Sequence, residues 1–335
     1  MVGLRVGIDV SPLALTRAGT ARHIEGLLDA LEDEPGLELL RYGFGGGNRA
    51  TVPVRDVAWY LAALPLKAAR DGVDVLHCPT HRAPARTQVP LVVTFHDLAV
   101  LRHPAAFNRW TRTYSRQALP RVVRAATRII AVSEFTRREL MELLDVPDEK
   151  IRVVPNAVSA PFTADGDAAT GDYVLTVSTL EPRKNLPRLV EAFDRARLDG
   201  VELVVAGERG WGDVRLHGRR LRWLGRVSDD ELARLYRGAR CFAYPSVYEG
   251  FGLPVLEAMA CGTSVVAARS EAAAEVADGA AVLVDPLDPD AIAAGLREAI
   301  ERREELAARG RERAAAFDWK RSAELTHAVY GEAAA

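Results

Sequence analysis

The feature that most constrains this fold is an alternation of short apolar runs with helical segments. In the first half the runs are Leu4–Ile8, Leu37–Tyr42, Val73–His77, Leu91–Phe95, Arg128–Val132 and Ile151–Val154. Strands that alternate with helices build βαβ units and a parallel sheet. After Val154-Pro155-Asn156 comes a weakly apolar stretch rich in Gly, Asp and Thr, Thr163–Asp172, which reads as a linker. The alternation then restarts with Tyr173–Ser178, Val201–Ala206, Leu221–Trp223, Cys241–Tyr244, Ser264–Ala267 and Ala281–Val284. Ser228 with Glu231 predicts a capped helix start, and Asp288-Pro289 predicts another. The helix from Ala291 is expected to run to about Ala316 with a break near Gly310, and Lys320–Tyr330 to form the last one. The expected fold class is α/β, with two Rossmann-like domains whose parallel sheets face each other across a cleft, 1–162 and 163–317.

A chain of 335 residues suits two such domains better than one core. No apolar run approaches the ~20 residues that a membrane span needs. The apolar N-terminus carries Asp9 and reads as a first strand rather than a secretory signal. Three widely spaced cysteines, Cys78, Cys241 and Cys261, suggest neither a disulfide framework nor a zinc pattern. His77-Cys78-Pro79-Thr80-His81 has no second ligand cluster, so no metal site is expected. These features point to a cytoplasmic setting.

The formal charge of −2 hides an asymmetry, with a basic excess in the first half and an acidic one in the second. From Leu98 to Ser133 there is no acidic residue, yet Arg102, Arg109, Arg112, Arg116, Arg121, Arg124 and Arg128 lie there, interleaved with Phe107, Trp110 and Tyr114. Such a segment is either a solvated helix face or a surface for anionic lipid or a phosphate-bearing acceptor, peripheral at the inner face of a membrane. Nucleic acid fits less well, because no reader motif accompanies the charge.

Chemistry concentrates in Tyr244–Val266, YPSVYEGFGLPVLEAMACGTSVV. Glu249 and Glu257 flank a Gly250–Gly252 turn, and Pro254 suits a helix start. The backbone amides of Phe251, Gly252 and Leu253 then face outward from a helix N-terminus, a ready phosphate site. Glu257 is placed to accept from a diol such as ribose, and Glu249 to meet a second polyol. Upstream, Glu181-Pro182-Arg183-Lys184-Asn185 follows the first strand of the second domain. Two cations ahead of a helix N-terminus oppose its dipole, and an anion between them would resolve the conflict. Arg183 can fork two phosphate oxygens while Lys184 acts as a point charge.

Together these strings resemble the donor-binding signature of the family-4 retaining glycosyltransferases, which have the GT-B fold, and the resemblance covers nearly the whole chain. It implies a nucleoside-diphosphate sugar as donor substrate, a glycan, lipid-linked or small-molecule acceptor, no metal and no cofactor. The implied reaction is front-face attack with retention. Arg183 and Lys184 would neutralise the leaving diphosphate, Glu249 would hold sugar hydroxyls and Glu257 the ribose. Ser178, Gly250, Phe251, Gly252 and Leu253 would complete the donor site. Arg226 and Val227, in Leu224-Gly225-Arg226-Val227-Ser228, match the loop that contacts the base. In the first domain His96 would line the site of transfer, and Asp97 would orient its imidazole or meet the acceptor. Arg17-Ala18-Gly19-Thr20 has one glycine, Gly19, where the family usually has a pair; Ala157 stands where it commonly has glycine. The resemblance also implies that the last helix, about 318–335, packs back on the first domain. Other readings of the same residues are a nucleotide-sugar epimerase, which lacks an evident acid/base pair beyond His96, and a non-catalytic nucleotide-sugar-binding relative.

Overall fold

The computed structural model describes residues 3–14, 19–44, 55–210, 214, 216–218 and 220–335. It divides into two compact units, the first comprising Met1–Arg102, Asn108–Ala157 and Asp318–Ala335, and the second His103–Phe107 and Val158–Phe317.

In the first unit, β1 (Leu4–Asp9), β2 (Leu37–Tyr42), β3 (Val75–Cys78), β4 (Leu91–Phe95), β5 (Arg128–Ala131) and β6 (Ile151–Val153) form one parallel sheet in the order β2-β1-β3-β4-β5-β6. Helices α1 (Gly19–Glu32), α2 (Leu64–Arg70), α3 (Ala99–Arg102), α4 (Arg109–Ala125) and α5 (Glu134–Leu144) belong to its connections. Strands β3 and β4 are buried at every position, as continuous apolar runs must be when helices cover both faces. On one face Val6 and Ile8 pack with Ile24 and Leu28 of α1; on the other Leu76, Val93 and Phe95 pack with Leu119, Val122 and Leu140. Asp9 is fully buried at the end of β1 and accepts from Ser11 Oγ (2.6 Å), Tyr60 OH (2.9 Å) and Trp59 Nε1 (3.2 Å). A first strand ending in a carboxylate is stable here because every bond the carboxylate needs is made.

In the second unit, β7 (Tyr173–Val177), β8 (Glu202–Ala206), β9 (Leu221–Gly225), β10 (Cys241–Tyr244), β11 (Val265–Ala268) and β12 (Val282–Val284) form a second parallel sheet, ordered β12-β11-β10-β7-β8-β9. It carries α6 (Leu186–Ala196), α7 (Asp229–Gly238), α8 (Leu253–Ala260), α9 (Glu271–Ala277), α10 (Pro289–Glu301) and α11 (Arg303–Ala314). Ser228 caps α7, its hydroxyl accepting from the Glu231 amide, and Asp288 caps α10. The break after Ala291 falls at Arg302, not near Gly310. Gly310 lies inside α11, where its missing side chain admits Met259.

The polar stretch Thr163–Asp172 lies within the second unit, fastened to α7 and its end. Ala169 donates to the Arg234 carbonyl, Arg237 donates to the Asp167 and Thr163 carbonyls, and Arg240 pairs with Asp172 at 2.8 Å. The chain passes between units at Arg102/His103, Phe107/Asn108, Ala157/Val158 and Phe317/Asp318. The final helix, α12 (Trp319–Ala334), belongs to the first unit. Tyr330, fully buried, meets His77 Nδ1 at 2.7 Å; Glu332 pairs with Arg128 (3.0 Å) and Arg152 (2.7 Å); Ser322 donates to the Pro155 carbonyl. Burying one such aromatic side chain contributes roughly 1.5–3 kcal/mol.

Candidate active site

The order of the second sheet turns back between β7 and β10. In open parallel sheets the crevice outside the carboxyl ends of such a strand pair is where ligands bind. Both expected motifs start there, Glu181–Asn185 after β7 and Pro245–Leu253 after β10. Pro182–Lys184 form one tight turn, and Asn185 is left-handed at φ 60°. The Asn185 amide donates to the Pro245 and Pro286 carbonyls, and Val247 N donates to the Arg183 carbonyl at 2.9 Å. The two loops are therefore hydrogen-bonded into one surface.

Their side chains meet. Lys184 Nζ lies 2.5 Å from Glu249 Oε1 and donates to Tyr244 OH at 2.9 Å. Arg183 pairs with Glu181 at 3.0 Å and with the other oxygen of Glu249 at 3.2 Å. Ser246 Oγ donates to Glu249 Oε1 at 2.5 Å. The conflict between two cations and a helix start is thus resolved by Glu249 of the same chain, with no ligand needed. Two arginine and lysine charges against two glutamates leave a cluster of no net charge. Burial alone would raise the Glu249 carboxyl, but Lys184 and Arg183 outweigh it and hold it at about 2. Burial lowers the Lys184 ammonium below the ordinary lysine range, with Glu249 opposing. Glu249 was expected to hold sugar hydroxyls; both of its oxygens are already engaged by cations.

Gly252 precedes α8 at φ 106°, a conformation that favours glycine. Among the described residues the amides of Phe251, Gly252 and Leu253 have no hydrogen-bond partner, as a phosphate-binding turn requires. Glu257, one turn in and 1% exposed, accepts from Tyr236 OH at 3.1 Å. Ser178 sits at the end of β7 with its hydroxyl buried and without a partner among the described residues. A Cβ on Gly207 would come within 1.9 Å of the Ser178 carbonyl oxygen, so the β7 and β8 ends touch backbone to backbone. Arg226 is exposed beside Val227 and pairs with Glu208 at 3.2 Å.

In the first unit, His96 closes β4 and its Nε2 donates to the Pro79 carbonyl at 3.0 Å. A carbonyl can only accept, so Nε2 carries the proton. Burial lowers the imidazole's pKa, and Nδ1 is left as a lone-pair acceptor. Among the described residues no hydrogen bond joins Asp97 to His96; Asp97 Oδ1 accepts from the Ala99 amide at the start of α3. Gly19 is the first residue of α1, while Arg17 and Ala18 lie outside the described residues. Sequence reasoning missed His23, one turn further along α1, whose ring meets His96 edge-on at 4.6 Å. It also missed Tyr244 and Ser246, although both lie in the string that carries Glu249. Their position at the carboxyl end of a strand was the available signal.

The arginine segment splits. Arg102 is neutralised by Glu139 (2.6 Å) and Glu142 (2.5 Å), and Arg128 by Glu332. Arg109, Arg112, Arg116, Arg121 and Arg124 stay exposed on α4, without a carboxylate partner among the described residues. Trp110, 45% exposed, stacks on Tyr114. No helix among the described residues is long and apolar enough to cross a membrane.

Two family models divide the chain between them. "Glycosyltransferase Family 4" matches residues 10–160 and "Glycosyl transferases group 1" residues 164–317. The chain is 34% identical to O-antigen chain mannosyltransferase B of Escherichia coli, over 78% of its own length and 76% of that protein's. It is 30% identical to the phosphatidyl-myo-inositol mannosyltransferase of Mycolicibacterium smegmatis, over 94% and 90%. Among solved structures, Anabaena Alr3699/HepE in complex with UDP-glucose superimposes with a TM-score of 0.76 at 18% identity, over 98% of this chain and all of that one. The paired parallel sheets are those of the GT-B fold, and the chain belongs to the group 1, family 4 glycosyltransferases.

Proposed function

We propose that this glycosyltransferase moves a sugar from a nucleoside-diphosphate sugar to a hydroxyl acceptor, with retention at the anomeric carbon. The observation that carries the reading is the joining of Arg183, Lys184 and the unpartnered amides of Phe251–Leu253 at the β7/β10 switch point. As the glycosidic bond breaks, charge grows on the diphosphate. Fixed donors aimed at growing charge stabilise a transition state more than a ground state. Glu257 serves the ribose, and Ser178, Arg226 and Val227 the nucleotide. On the first unit, Nδ1 of His96 is the group suited to receive a hydroxyl hydrogen from the acceptor. Retention without an enzyme nucleophile is supported by Glu249: a carboxylate held by two cations and a serine is a poor nucleophile. The step is expected to run without a divalent cation, the diphosphate taking N–H donors from Lys184 and the Phe251–Leu253 amides; full turnover in a chelator checks this.

The names of two relatives make an activated mannose the first donor to test. A nucleotide-sugar panel screened by thermal shift selects the donor, since a ligand at a hundredfold excess over its dissociation constant raises stability by about 2.7 kcal/mol. Arg183→Ala and Lys184→Ala should each lower kcat by about 10²–10³ with a smaller change in donor affinity. Normal turnover in both would remove the diphosphate-clamp assignment. Epimerised sugar in the absence of acceptor would mark an isomerase instead.

The exposed arginine face of α4, with Trp110 at its N-terminal end, supports contact with an anionic membrane carrying a lipid-linked acceptor. Each arginine near such a surface is worth about 1 kcal/mol. Binding to phosphatidylserine vesicles should fall with salt and be absent with neutral vesicles; equal partitioning to both would leave a solvated face.

A further inference from the structure

We propose that Tyr244 is a positioning residue: its hydroxyl and ring orient the Lys184 ammonium so that one N–H is aimed at the donor diphosphate. The inference rests on the reading of the site as a diphosphate clamp and adds a residue to it. An ammonium has three donors on a freely rotating head. Here two are engaged, one by Glu249 Oε1 at 2.5 Å and one by Tyr244 OH at 2.9 Å. Two bonds on a tetrahedral nitrogen fix its rotation and so the direction of the third. Among the described residues that third N–H has no partner.

The anchor is rigid. Tyr244 is the last residue of β10, 3% exposed, in register with Ala267 of β11 and stacked on Phe242 at 5.7 Å. Lys184 Nζ lies 5.2 Å from its ring centroid, within cation–π range. The groups facing Lys184 are Glu249, Arg183, Glu181 and Tyr244. Burial and then Glu249 keep the phenol well above its usual range, so Tyr244 stays neutral and its oxygen accepts from the protonated Lys184. Lysine is also rare here. Lys67, Lys150, Lys184 and Lys320 are the four lysines, against forty arginines. At this position the chain uses a head group whose direction a neighbour must set.

That scarcity allows a direct test in the full chain. Lysine labelled with ¹³C at Cε gives four signals, and the Lys184 signal is assigned by its loss in Lys184→Ala. In Tyr244→Phe the ring and fold are kept and one acceptor is lost. The Lys184 midpoint should fall by about one unit, the worth of a hydrogen bond to a charged group. With the donor selected by the panel, kcat should fall about tenfold with KM nearly unchanged. A merely structural tyrosine would change thermal stability and leave the midpoint where it was. Tyr244→Leu, which also removes the ring, should move both readouts further. An unmoved midpoint and wild-type kcat in Tyr244→Phe would overturn the proposal. A moved midpoint in a protein that transfers no sugar would refute the transferase reading while upholding the orientation of Lys184 by Tyr244.

Discussion

Removing the Lys184 head group should destabilise the second unit through the carboxylate it strands. In the wild type Glu249 is 12% exposed and Lys184 10% exposed, 2.5 Å apart. Truncating one partner of a buried pair costs about 3–5 kcal/mol, because the other charge stays buried and uncompensated. A second route reaches the same size. The Glu249 carboxyl is held at about 2 against an ordinary 4.5, and a gap of about 2.5 units is worth about 3 kcal/mol. Arg183 and Ser246 remain beside Glu249 in the variant, so the lower end, about 3 kcal/mol at pH 7, is expected. Lys184 itself is penalised by burial, so the intact pair contributes less than the truncation costs. The folded pKa of Glu249 is depressed, so its stabilisation is complete above about pH 4.5 and is lost as pH falls towards 2. The penalty in Lys184→Ala should therefore shrink below pH 4.5, where the stranded carboxylate takes a proton. Thermal unfolding from pH 3 to 8 is the assay, with a loss of about 2–4 °C per kcal/mol for a unit of this size. Lys184→Ala/Glu249→Gln should regain most of the stability and none of the turnover. A Tm within a degree of wild type at pH 7, or a double variant no more stable than Lys184→Ala, would refute the buried-pair argument.

Gly207→Ala places a Cβ 1.9 Å from the Ser178 carbonyl oxygen at φ 145°, so a loss above about 4 kcal/mol or an insoluble product is expected; a soluble variant of wild-type Tm would show that β7 and β8 can separate there without cost. His23 and His77 are buried and held neutral, chiefly by desolvation, His77 at about 3. Their folded pKa values lie below the ordinary 6.5, as do those of His81 and His96, so stability is complete above pH 6.5 and falls below it, by up to about 5 kcal/mol per pH unit for four protons. Tm measured between pH 7 and 5 checks this, and a flat profile would contradict it.

Some of this protein was legible residue by residue. Strands Leu91–Phe95 and Cys241–Tyr244 begin and end where their apolar runs do, since a strand buried on both faces must be apolar throughout. The Ser228 and Asp288 caps and the Gly250–Leu253 turn were legible for a similar reason: each is decided by three or four neighbouring residues. What tertiary structure alone decided are the partners. Glu249 neutralises Lys184 from 65 residues away, Glu332 neutralises Arg128 from 204 away, and Arg237 ties Asp167 across 70. Thr163–Asp172 has a linker's composition, yet Gly, Asp and Thr also expose carbonyls that arginines at the end of α7 can bind. Whether a charged or polar residue is solvated or paired depends on which group the fold brings within about 3 Å, and no local pattern encodes that distance. Composition and spacing determined that Arg183 and Lys184 stand between the end of β7 and a helix start. Only the packing of β10 beside β7 determined that these two cations are already balanced, and that Tyr244 sets the direction of one of them.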